Sequence, residues 1–199
     1  MRFSDIEISE LTKAWLTISL AFAIIWRGMD SRFWLVYLMA ALTVGVAFIV
    51  HELSHKYIAQ KYGCWAEFRS YQLGLILAIL MSFIGFIFAA PGAVIISGLV
   101  TQEENGRISM AGPVSNLILA SVFYFIAKFG LILLQPMVPI SSMIVITEFV
   151  QISISINAWL AFFNLLPFGP LDGVKIMQWS QKTWFGLVLI AGFFIFFLQ

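Results

Sequence analysis

FWLVYLMAALTVGVAFIVHELSHKYIAQKYG, residues 33–63, is the stretch on which the fold turns. Phe33–Val50 is 18 residues without a charge, long enough for a membrane helix. The pattern runs on into His51-Glu52-Leu53-Ser54-His55 and stops near Gly63. The chain has two histidines, and they are these two, four residues apart. A turn of 3.6 residues stacks them on one helix face. Both imidazoles can then reach one tetrahedral ion, with a third ligand and a water coming from elsewhere. Glu52 lies beside that face, placed to take a proton from the water. A pair of core histidines without metal is the plainer reading. It is the weaker one here, because ionisable residues at the end of an apolar run are expensive in a bilayer and are functional by default.

The rest of the chain agrees with a bilayer as solvent. Of 199 residues, 61% are hydrophobic and only 11% are Asp, Glu, Lys or Arg. A soluble domain carries about 25% charged residues, so a water-soluble globule is excluded, as is disorder. The net charge of +1 gives no electrostatic case for nucleic acid. The one cysteine, Cys64, has no partner for an internal disulfide.

Residues 1–13 mix acids with Arg2 and Lys13, unlike the basic start of a cleaved signal. Ala14–Trp26 reads as a first span, with a short surface helix as the alternative. Further spans are expected at Ala111–Leu134, carrying Lys128; at Ser142–Phe168, carrying Glu148, Asn157 and Asn164; and at Thr183–Leu198. Leu73–Val100 is apolar but broken by Gly74, Gly85, Pro91, Gly92 and Gly98. Turn signals stand at Met29–Ser31, Glu103–Gly106, Gln135–Pro139 and Gly169–Gly173. The expectation is an all-α polytopic membrane protein forming a single domain over residues 1–199, with about five transmembrane helices, or six.

Three motifs together resemble the site-2 proteases, a family of intramembrane zinc metalloproteases. The first is His51-Glu52-Leu53-Ser54-His55. The second is Ala111-Gly112-Pro113-Val114-Ser115-Asn116, similar to the family's Gly-Pro-x-x-Asn element. The third is Asn164-Leu165-Leu166-Pro167-Phe168-Gly169-Pro170-Leu171-Asp172-Gly173, similar to its N-x-x-P…D-G element. The resemblance covers about residues 33–180, the expected catalytic core. It implies one Zn2+ per chain held by His51, His55 and Asp172, with Glu52 as general base. It also implies that Asn164 helps hold the substrate backbone or oxyanion; an interhelical hydrogen bond is the competing role. The residues themselves favour Asp172 less firmly. Glu52, Glu148 and Asp172 are the acids in or at the end of an apolar span, and Glu148 falls about 24 residues from Asp172, near the opposite face. Gly112 and Asn116 read as helix-packing residues.

Charge and zinc constrain the topology together. If Leu73–Val100 were a full span, Asp172 would land across roughly 30 Å of hydrocarbon from His55. If it enters and leaves on one face, the three motifs meet on that face. One side then holds Arg2, Lys13, Lys56, Lys61, Arg69, Arg107, Lys175 and Lys182, and the other Arg27 and Arg32. That eight-to-two split favours re-entry under the positive-inside rule, with the N-terminus and the zinc on the cytosolic side of the cell membrane. The six-span arrangement divides five against five and selects no orientation. The resemblance also implies a membrane-inserted β-hairpin, placed here at Gly92–Ser97, with Leu73–Ala90 as a folded-back helical pair or a tilted helix.

The expected activity is intramembrane endopeptidase: hydrolysis of a peptide bond in a transmembrane protein or peptide, whose unwound segment is held along Val94, Ile95 and Ile96 by strand addition. The main alternative is a membrane zinc-binding or zinc-transport protein without protease activity. Transport would want ligands at both faces, and the sequence has no further histidine.

Overall fold

The computed structural model describes residues 1–27, 31–87 and 91–198. The chain divides into two compact units, Met1–Val100 and Thr101–Gln199.

In the first unit, α1 (Asp5–Arg27) begins nine residues before the apolar run, so the polar N-terminal segment is helix. The 33–63 stretch is one continuous helical run: α2 (Phe33–Ala40), a π-helical turn (Ala41–Gly45) and α3 (Val46–Lys61). α1 packs along it through alanines with no exposed surface, among them Ala14, Ala21 and Ala40. Small residues allow backbones to approach where no hydrophobic force separates helix from lipid. Gly45 marks the closest approach: a Cβ there would lie 2.2 Å from the Trp15 ring. Strand β1 (Trp65–Ser70) follows, then α4 (Gln72–Ser82), then β2 (Gly92–Ser97). The strands pair antiparallel, Trp65 opposite Ser97 and Ser70 opposite Gly92.

That pairing brings Ser70, just before the tract 73–100, opposite Gly92 within it, so the chain at these two positions lies side by side. α4 has 11 residues, about 16 Å of helix, too short for a bilayer core of about 30 Å. Among the described residues, no helix within 73–100 is long enough to cross a membrane. The expected strand at Gly92–Ser97 is present, and its partner is the preceding, more polar Trp65–Ser70 rather than a second part of the apolar tract. Of the two alternatives expected for Leu73–Ala90, a folded-back helical pair or a tilted helix, the described residues show one helix; residues 88–90 lie outside the described residues.

In the second unit, α5 starts earlier than the apolar pattern, at Gln102. Glu103–Gly106 is thus a first helical turn and not a loop. The reason is a capping box: the Thr101 hydroxyl accepts from Glu104 N–H at 3.2 Å, and the Glu104 carboxylate accepts from Thr101 N–H at 2.8 Å. The helical run continues through a second π-helical turn, Ile126–Gly130, into α6 (Leu131–Leu134) and a short 3₁₀ turn ending at Met137. Pro139 then precedes α7 (Ile140–Asn164), followed by α8 (Asp172–Trp179) and α9 (Gln181–Phe197). Leu117, Ala120, Val150, Ile154, Ala158, Ile176 and Phe194 form the buried core of this unit. Asn116 donates to the Asn157 side chain at 2.9 Å and Asn157 donates to the Ser153 carbonyl at 2.9 Å, a polar clamp between α5 and α7.

Among the described residues, four helical runs are long and apolar enough to cross a membrane: Asp5–Trp26, Phe33–Lys61, Gln102–Met137 and Ile140–Asn164. The expected fifth span corresponds to α9, whose 17 residues sit at the lower edge of spanning length. Lys128 lies exposed within the third run, its ammonium 5.5 Å from the Tyr124 ring centroid.

Candidate metal centre

Helix α3 presents both histidines. Its approach is fixed by the π-helical turn, where Trp15 Nε1 donates to the Ala41 carbonyl at 2.9 Å and Thr43 Oγ1 donates to the Met39 carbonyl at 2.7 Å. A π turn widens the helix by one residue and releases a carbonyl; such turns recur at functional sites. Six residues after it, His51 and His55 lie buried, their Nε2 atoms 3.1 Å apart and their rings edge to face. Two nitrogens bound to zinc at about 2.05 Å with tetrahedral angles stand about 3.3 Å apart, so this pair is already spaced for one ion. The donor set supports the same reading: two imidazole nitrogens presented by one helix are zinc-type ligands.

Glu52 is buried beside the pair, and its Oε2 accepts from the Val94 backbone N–H of β2 at 3.1 Å. Next in the motif helix, Lys56 is completely buried and pairs with Glu7 of α1. Glu7 also accepts from Phe68 N–H of β1 at 2.9 Å, and the Phe3 ring centroid lies 4.0 Å from the Lys56 ammonium. One carboxylate thereby ties α1, α3 and the hairpin. Removing either partner would leave a buried charge uncompensated. Sequence reasoning missed this pair: it counts Lys56 only among the cations of one membrane face and Glu7 only among the acids of residues 1–13. The available signal was Glu7 and Glu10, three apart on one face of what proves to be α1.

In the second unit, Asp172 is the first residue of α8 and is buried. Gly173 explains the D-G pair. A Cβ there would lie 2.1 Å from the Leu165 carbonyl oxygen, so only glycine lets α8 start against the end of α7. The Leu165 carbonyl also accepts from Trp184 Nε1 at 2.7 Å. Gly169 takes φ +62°, in the left-handed region that glycine tolerates, and turns the chain between the helices. Asn164 Nδ2 donates to the Leu160 carbonyl of its own helix at 2.9 Å. Glu148 is exposed on α7.

Val94, Ile95 and Ile96 all lie in β2, but their backbones face two ways. Ile95 stands opposite Glu67. Val94 N–H points outward to Glu52, and Phe68 N–H, opposite it, points outward to Glu7. In an antiparallel ladder such pairs alternate with pairs that bond each other. Hence Ile95 bonds β1, while Val94 and Ile96 present N–H groups on the outer edge.

A protein of Methanocaldococcus jannaschii named "Putative zinc metalloprotease" is 40% identical over 194 residues, covering 96% of this chain and 94% of its own. A Bacillus subtilis protein of the same name is 34% identical over 150 residues, 69% of this chain and 66% of its own. A second M. jannaschii protein, named a zinc metalloprotease, is 28% identical over 151 residues, 75% of this chain and 35% of its own. No family model matches the chain. No solved structure matches it. Ligand chemistry and relatives agree on the ion, and the cofactor is Zn2+. With near-complete coverage at 40% identity, this chain belongs to the zinc metalloprotease family of these relatives.

Proposed function

We propose that this protein is an intramembrane endopeptidase of the site-2 protease type, cleaving a peptide bond within a transmembrane segment of a membrane protein. The observation that carries the reading is the 3.1 Å histidine pair at the end of a helical run long enough to cross a bilayer. From Phe33 to His51 is about 27 Å of helix, which sets the pair just inside one border of the hydrocarbon. The Lys and Arg distribution supports the cytosolic border. His51, His55 and Asp172 hold the metal. When bound, zinc acidifies its water and polarises the scissile carbonyl. Glu52 takes a proton from the attacking water at its carboxylate and later delivers it to the leaving amine.

The substrate helix must first unwind, because a helix hides its carbonyls in internal hydrogen bonds. The outer edge of β2, through Val94 and Ile96, receives the unwound strand. Ile95 contributes its half-exposed side chain. Asn164 offers its amide to the substrate backbone or oxyanion.

Two measurements test this. Glu52→Gln should retain zinc by elemental analysis and lose hydrolysis of a membrane-helix substrate by at least about a hundredfold, the size of a lost general base. Cleavage near the wild-type rate would remove Glu52 from the mechanism; zinc binding with no cleavage by the wild type would favour a metal-binding or transport protein. Single cysteines at Arg69 and Arg107, in a Cys64→Ser background, should label with an impermeant thiol reagent from the same side. Labelling from opposite sides would refute the shared face.

A further inference from the structure

The hairpin has two outer edges, and both meet α3, but only the β2 edge meets it at Glu52. On β1 the outward N–H of Phe68 goes to Glu7 at 2.9 Å and that of Ser70 to Glu10 at 3.3 Å. The outward carbonyl of Ala66 accepts from Gln60 Nε2 at 3.4 Å. That edge is filled by α1 and α3. On β2 the outward Val94 N–H is held by Glu52, the general base of the proposed reaction. A peptide strand adding to β2 needs that same N–H for one of its carbonyls. Docking and the resting position of the base thus compete for one proton donor.

We infer that Val94 N–H is a substrate-operated latch: it holds the Glu52 carboxylate in the empty enzyme and passes to a substrate carbonyl when a strand docks, releasing Glu52 towards the attacking water. The inference rests on the peptidase reading above. Its consequence is that a segment long enough to lie along β2 switches on its own cleavage. A peptide spanning only the scissile bond leaves the latch closed and turns over slowly even when saturating. The step exchanges one hydrogen bond for another and needs no further reactant.

Amide hydrogen exchange at Val94 tests the latch apart from catalysis. The zinc-loaded protein in detergent micelles would carry 15N-valine. The probes are aliphatic peptide hydroxamates of two and of six residues, whose hydroxamate binds zinc. Without probe, Val94 should be protected in wild type and in Glu52→Gln, which keeps an acceptor. It should exchange about tenfold faster or more in Glu52→Leu, the scale of one lost hydrogen bond. The six-residue probe should restore protection in Glu52→Leu, and the two-residue probe should not. Equal exchange in Glu52→Leu and wild type, or no protection by the longer probe, would overturn the latch. A kinetic arm replaces Val94 by its α-hydroxy acid, deleting the N–H with the side chain kept. This ester variant should raise kcat on a short peptide and raise KM on a membrane-helix substrate. A fall in kcat on both would overturn the latch. Absence of cleavage by the wild type on any substrate would instead sink the peptidase reading, with the exchange results standing independently.

Discussion

The two edges of the hairpin show how one small sheet is handled in opposite ways. β1 turns its outward groups to Glu7, Glu10 and Gln60, fixed partners supplied by neighbouring helices. β2 gives its outward Val94 N–H to Glu52, the general base of the proposed reaction. Exposed strand edges invite unplanned pairing, and proteins close them with charges or cover. Here acids from α1 close one edge, and the other, bonded to α3 through Glu52, is the edge proposed to receive a strand. The difference separates two roles within one sheet: the sealed edge orients the hairpin, and the contested edge is the one proposed to take substrate.

The largest expected effect falls on the sealed edge. Lys56→Met leaves the fully buried Glu7 carboxylate without its counter-ion and should destabilise the protein by about 3–5 kcal/mol in thermal unfolding in micelles. Adding Glu7→Gln should recover most of that loss; no recovery would mean that the pair does not couple α1 to α3. The next effect falls on the contested edge. Ile96→Pro removes an outward N–H without touching the bonds to β1, so cleavage of a membrane-helix substrate should fall at least about tenfold with zinc retained. Ile95→Val, which alters only a half-exposed side chain, should change the rate little. If Ile95→Val proved as harmful as Ile96→Pro, substrate would be held by side chains rather than by backbone. The smallest effect is Glu10→Gln. It weakens the carboxylate contacts to Ser70 and Lys13 at the end of β1 but keeps an acceptor, and should cost about 1 kcal/mol of stability with unchanged kcat.

Legibility in the sequence followed the range of the interactions. The HELSH motif was readable because its chemistry is local: two ligands four apart on one helix meet wherever that helix lies. The strand at Gly92–Ser97 was readable from β-branched residues between glycines. Its partner was not, since Trp65–Ser70 alternates apolar and polar residues only over Ala66–Arg69, at the end of a long helix. The start of α1 at Asp5 was hidden because its polar residues look like a solvated leader, whereas Glu7 and Glu10 face partners some sixty residues away. The helical start at Gln102 was a local signal misread: Thr101 and Glu104 form a capping box in a stretch whose Asn105 and Gly106 also suit a turn.

By itself the sequence determined the solvent, the lengths of the apolar runs, and the pairing of His51 with His55, because composition and helical period are properties of the chain. The tertiary structure alone decided which N–H groups of β2 face outward, that Lys56 is sealed against Glu7, and that Gly173 must accept the carbonyl of Leu165. Those outcomes depend on strand register and on the approach of segments far apart in the chain. A shift of register by one residue would exchange Val94 for Ile95 on the outer edge, and nothing in the local pattern of GAVIIS distinguishes the two.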